Sequence, residues 1–212
     1  RARDGSMASS SIFPLKFYYV KVPADVRQPF EELEGVADGP GDMMSQKICV
    51  KFFAGGTVKN DEGLRAEFGD EVLDQKRSAL NRVAAQGTVE TFALCRPSSS
   101  TKPIPHAGVY LYLDEMGVLK DLPINKRATE IASGCGLDVE SPFHGDVYIA
   151  RVQVQPSPTR NVSFRLTELD AGSEFFLSTP AENAAYDAAM REYKQAVADK
   201  EVGGGAIDTR EK

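Results

Sequence analysis

Apolar residues in this chain gather in runs of strand length, each closed by proline or by a turn, and this limits what the chain can build. Leu15–Val22 is rich in aromatic and β-branched residues and stops at Pro23, which has no N–H to give a ladder. Residues 88–95 stop at Arg96-Pro97, residues 108–113 at the acidic turn Asp114-Glu115-Met116-Gly117, and residues 146–154 just before Pro156-Ser157-Pro158. Val162, Phe164 and Leu166 then alternate with Ser163, Arg165 and Thr167, the pattern of a strand with one wet face. A hairpin with the preceding strand is the economical pairing. Gly117, at the fourth place of its turn, is expected to take positive φ and let residues 118–122 pair backwards on the strand before it.

Between these runs lie segments of helical period. Leu64, Phe68, Val72, Leu80 and Val83 fall on one helical face, with a break expected at Gly69-Asp70 and a stop at Gly87. Asn125 is a good N-cap for a helix over 126–133, with Ala128, Ile131 and Ala132 available to a core and Gly134 as stop. Residues 42–56 fit two patterns: Ile48, Val50 and Phe52 alternate, while Met44, Ile48 and Phe52 recur every fourth position, and the second favours a helix capped by Asp42. Thr179-Pro180-Ala181-Glu182 is a capping box with proline at the first helical position, and the helix it starts carries the seam Tyr186, Met190, Tyr193 and Val197. Residues 23–42, with three prolines and scattered acids, are expected to be loop.

Segregated strand and helix signals give an α+β fold: a mostly antiparallel sheet of about five strands with three or four helices packed largely on one face. Residues 1–6 read as a vector remnant, 7–202 as a single domain and 203–212, opened by a glycine triplet, as a linker-like tail; together the ends suggest a piece of a longer, multidomain protein.

Composition narrows the functions. With 212 residues, 42% hydrophobic and 26% charged, the chain is that of a soluble globular protein, and its formal charge of −6 disfavours a general grip on nucleic acid or an anionic membrane. No apolar run approaches the roughly 18 residues a membrane helix needs. Cys49, Cys95 and Cys135 show no paired spacing, so reduced thiols in a cytoplasmic compartment are expected. The two histidines, His106 and His144, and the cysteines lack metal-ligand spacing, and no nucleophile elbow or phosphate-binding loop accompanies them. Catalytic residues, metals and cofactors are therefore not expected.

One stretch has a further likeness. Asp114, Glu115, Gly117, Leu122, Pro123, Asn125, Arg127 and Ala128, followed by Gly145 and Asp146 before an apolar strand, form an ordered pattern spanning about 40 of the 212 residues. It resembles an uncharacterised family found on plasmids, in phages and in some unicellular eukaryotes. Lys126 stands where that pattern has a proline, and residues 135–141 make a long insert. The resemblance implies a shared unit of β-hairpin, helix and strand, and brings no activity with it. Turn and cap chemistry accounts for nearly all of these residues.

Two functions follow as expectations. The first is a non-catalytic protein-interaction or scaffold module, bound by a protein partner or by a flanking domain of its own chain. The second is a protein that binds a small anionic molecule, or a hydrolase, through a polar cluster of Lys120, Arg127, His144 and Asp146 at one end of the sheet. That reading requires the four side chains to converge on one pocket.

Overall fold

The computed structural model of the protein describes residues 14–39, 44–99 and 103–176, together with single positions Ala188, Arg191, Glu192 and Gln195. The capping box at Thr179 and the seam Tyr186, Met190, Tyr193 and Val197 lie outside the described residues.

Six antiparallel strands form one sheet: β1 (Leu15–Val22), β2 (Glu31–Ala37), β3 (Glu90–Cys95), β4 (Ala107–Leu113), β5 (Val147–Gln153) and β6 (Arg160–Val162). The order is β2-β1-β5-β4-β3, and β6 pairs with β5. β5 meets β1 through residues 147–149 and β6 through residues 151–153, so two strands share one of its edges. A bond from Phe164 N–H to the Tyr18 carbonyl (2.8 Å) joins β1 to the chain leaving β6. All seven residues of β5 are buried, as expected of a strand flanked on both edges and covered on both faces.

Alternation along the strands sends side chains into two cores. Val20, Val22, Val109, Leu111, Leu113, Val147 and Ile149 pack with Ala128 and Ala132 of α4 (Lys126–Gly134), with Phe143 and with Phe164. Phe17, Tyr19, Tyr112, Tyr148 and Ala150 pack instead with Met44 and Ile48 of α1 (Met44–Ile48) and with Phe53. The α+β class stands, with six strands in place of about five. Helices lie on both faces and not chiefly one, because β1, β4 and β5 present apolar residues in both directions.

Residues 44–53 are helical, as the four-residue spacing suggests, while the expected Asp42 cap lies outside the described residues. α1 runs on as a wider turn over Cys49–Phe53, in which Ala54 N–H reaches the Cys49 carbonyl five residues back (2.9 Å). The extra residue per turn rotates the face, so Phe53 is buried where the strict spacing placed Phe52. The next helix breaks at Gly69 as expected, giving α2 (Asp61–Phe68), capped by the Asn60 side chain, and α3 (Leu73–Gln86) after a 3₁₀ turn over Asp70–Val72. Leu64 is buried, while Val83 is exposed and Ala84 takes the inward place. Gly87 has φ +79°, and a Cβ there would stand 2.4 Å from the Cys49 carbonyl oxygen, so α3 closes directly against the wide turn.

Two expectations are corrected. Residues 31–37, expected to be loop, form edge strand β2. Its glutamates, which look like solvated charge, pair across the sheet: Lys16 with Glu34 (2.9 Å), and Arg165 with Glu32 (2.6 Å). Residues 118–122 do not pair back on β4, whose partners are β3 and β5. They coil instead, with Lys120 N–H on the Met116 carbonyl (2.8 Å) and Leu122 N–H on the Gly117 carbonyl (3.0 Å). Gly117 lacks positive φ; a Cβ on it would lie 3.0 Å from both Cβ and the carbonyl oxygen of His144, and that close approach is what favours glycine. The hairpin implied by the resemblance is therefore absent, while its helix and strand are present.

Candidate functional site

Each of the four residues of the expected polar cluster has a partner in the fold. Lys120 is buried, and its Nζ donates to Asp114 Oδ2 and to the Phe53 carbonyl, both at 2.7 Å. Arg127 donates to three carbonyls of the β1–β2 connection, those of Pro23 (2.5 Å), Gln28 (2.8 Å) and Asp25 (3.0 Å), and lies over the Phe30 ring. Asp146 accepts from Ala24 N–H (3.0 Å) and pairs with Lys21 (3.0 Å). His144 donates from Nδ1 to the Leu122 carbonyl (2.8 Å), which leaves Nε2 for other use. His144 lines a cavity of about 630 Å³, Asp146 a separate one of about 270 Å³ beside Phe52 and Pro123, and neither Lys120 nor Arg127 is among the residues lining either. The groups chosen to hold an anion are thus engaged in holding the chain together.

That cavity, of about 630 Å³ and lined by His144, sits at the β3 end of the sheet on the α4 side. Its floor is apolar: Phe92 stands against Phe143 at a ring distance of 5.2 Å, with Leu113, Leu137 and Val139 around them. Alternation on β3 places Glu90 on the same face as Phe92. Glu115 comes from the turn after β4, and Asp138 and Glu140 from the long segment after α4. None of these four carboxylates is bonded to or paired with a cation among the described residues. Most of the other acids described in the sheet and its turns are paired. Partial burial, and then the charge of Glu115, push the Glu90 carboxyl above its ordinary value of 4.5. Asp114 also lines the cavity, but its carboxylate is held by Lys120 and by Met116 N–H (2.9 Å). Arg191, a described position near the end of the chain, contributes the one cation among the described lining residues.

The carboxylates ring the cavity without converging: no three His, Cys, Asp or Glu side chains among the described residues are placed to share a metal ion. Residue types reveal these acids in the sequence, but their separation across residues 90–140 makes each look like ordinary surface charge.

The thiols bear on covalent chemistry. Cys135 is fully buried, and burial followed by the neighbouring Cys95 pushes its thiol up to about 12; burial also raises Cys49, which is partly exposed. A thiolate is the nucleophilic form, so iodoacetamide at pH 8 is expected to leave Cys135 unmodified in the native protein and to label it in urea. Rapid native labelling at Cys135, read by peptide mass spectrometry, would contradict the buried placement.

Comparison with family models, with curated proteins and with solved structures finds no match to this chain. Among the described residues, no helix is long and apolar enough to cross a membrane.

Proposed function

We propose that this protein is a non-catalytic interaction module whose carboxylate-rimmed cavity receives a basic segment of a partner protein. The observation that carries this reading is the combination, in one cavity, of an apolar floor with four carboxylates that have no cation partner among the described residues. Like charges gathered round one cavity draw a guanidinium or ammonium group more strongly than a lone surface carboxylate does, and Glu90 is the member of this set that partial burial also affects. The apolar floor takes the methylene stem of the same side chain. Carboxylates spread round a rim fit a flexible chain of basic residues better than a single small ion. The sign of the site is opposite to that expected of a Lys120–Asp146 anion site.

Fluorescence anisotropy with labelled arginine-rich and glutamate-rich peptides of equal length tests this. The basic peptide is expected to bind, more weakly as salt is raised. Replacing both Asp138→Lys and Glu140→Lys is expected to weaken it at least about tenfold, in the range seen when charges at an interface are reversed. Arg191→Ala removes a like charge from the cavity wall and is expected to strengthen it.

The pH dependence has a definite sign. The Glu90 carboxyl holds its proton to a higher pH than a free glutamate, and a bound cation favours its ionised form, so binding releases a proton. Affinity is therefore expected to rise as pH climbs above 4.5 and then level off, and Glu90→Gln to flatten that rise. Equal binding of basic and acidic peptides, or binding indifferent to the lysine substitutions, would overturn the proposal.

A further inference from the structure

A second cavity, of about 390 Å³, adjoins the first and shares Glu115 and Val118 with it as a common wall. Its other lining is of a different kind: Leu80 and Val83 from α3, Met116 and Leu119 from the coiled turn. Val83 is 42% exposed and Val118 48% exposed, so two of the exposed large apolar side chains of the described protein meet at this one place. Thr88 lines the same cavity, and its hydroxyl is buried with no hydrogen-bond partner among the described residues. A buried hydroxyl left unpaired is costly, and a ligand that brings a donor or acceptor removes that cost.

We infer that the two cavities form one bipartite site, and that its occupant is a single segment of a partner protein carrying a basic residue and, a few residues away, a branched apolar one such as leucine. This inference rests on the proposed function above and adds the second anchor to it. Charge complementarity fixes the basic end, because the first cavity holds four carboxylates with no cation partner among the described residues. The second holds no charge among its described lining but Glu115, which it shares, and apart from Thr88 and Gly63 is apolar, so it selects an uncharged side chain. The common wall brings the two anchors within the reach of a short stretch of chain. Thr88 meets a backbone N–H or carbonyl of the same segment. Two anchors on one chain bind more tightly than either alone, because the second engages at high effective concentration once the first is seated.

The test uses the full chain and four labelled nonapeptides in a serine-glycine background, read by anisotropy. One carries two arginines and a leucine, one the arginines alone, one the leucine alone, and one two glutamates and a leucine; leucine is placed two, three and four residues from the arginines. The peptide with both is expected to bind at least about tenfold tighter than the arginine-only peptide at one of these spacings, the worth of burying a leucine side chain. Val83→Ser, a neutral change at a side chain 42% exposed, is expected to abolish that advantage while leaving the arginine-only peptide, whose cavity Val83 does not line, unchanged. Thr88→Val is expected to reduce it in part. If both arginine peptides bind the native protein equally at every spacing, the bipartite site is refuted and the basic cavity stands. If neither arginine peptide binds, the reading beneath it fails as well. A native dimer in light scattering that Val83→Ser makes monomeric would assign the second cavity to another copy of this chain and overturn the inference.

Discussion

Lys120→Met is expected to destabilise the protein by about 3–5 kcal/mol, the usual cost of removing one partner from a buried ion pair. Lys120 and Asp114 side chains are each only 4% exposed, and they meet at 2.7 Å. Taking the ammonium away leaves a carboxylate in a place where water cannot replace it. The same nitrogen also satisfies the carbonyl of Phe53, the last residue of the wide turn after α1, and that carbonyl loses its donor too. Two cores are therefore coupled through one side chain: Phe53 belongs to the aromatic core under α1, whereas Asp114 opens the turn from which Met116 enters the core of α2 and α3. Urea unfolding of Lys120→Met, Asp114→Leu and the double variant separates the costs. Because an apolar pair of similar volume can replace a buried ion pair at little or no loss, the double variant is expected to recover much of what either single change removes. Single variants within about 1 kcal/mol of the native protein would show that the pair is hydrated and that its burial is misassigned.

Lys120 illustrates what a sequence reveals and what it conceals. A lysine amid turn residues looks available to a ligand, because Asp114 looks like ordinary turn charge and the carbonyl that completes the lysine's bonding is 67 residues away. Elements that depend on neighbours in the chain were legible: β1 ends at its proline, α2 and α3 part at Gly69, and α4 begins at Asn125. Elements that depend on distant partners were not. β2 looks like solvated loop because Glu31, Glu32 and Glu34 are acidic, and their cations lie on β1 and beyond β6. Gly117 looks like a positive-φ turn residue, but the constraint on it is the close approach of His144, which no spacing within 114–117 encodes. The candidate cavity was the least legible part. Glu90, Glu115, Asp138 and Glu140 become a site only when β3, the turn after β4 and the segment after α4 are brought to one end of the sheet.

Asn125→Ala is expected to cost about 3–5 kcal/mol, far more than the roughly 1 kcal/mol of a helix cap. The cap is real: Asn125 Oδ1 accepts from Ala128 N–H at 3.0 Å and starts α4. The amide nitrogen does something the sequence does not disclose. It donates to the carbonyl of Val22, the last residue of β1, at 2.8 Å, and to that of Gly145, just before β5, at 2.9 Å. Asn125 is wholly buried, so an alanine leaves two carbonyls and one N–H without partners or water. Beside it Asn125 N–H reaches the Phe143 carbonyl (2.7 Å) and Gly145 N–H the Pro123 carbonyl (2.8 Å), a short ladder that fixes the segment carrying His144 along the cavity wall. Asn125→Ser separates the two roles, since serine retains a capping oxygen but cannot span to both carbonyls. Serine is expected to recover only the capping share, about 1 kcal/mol, and to leave the larger loss in place. Asn125→Asp keeps the cap but sets a carboxylate against two carbonyl oxygens, and is expected to do no better than alanine at neutral pH and to improve as the pH is lowered and the carboxyl gains a proton to donate. A serine variant as stable as the native protein would mean that the ties to β1 and β5 contribute nothing and that Asn125 is a cap alone.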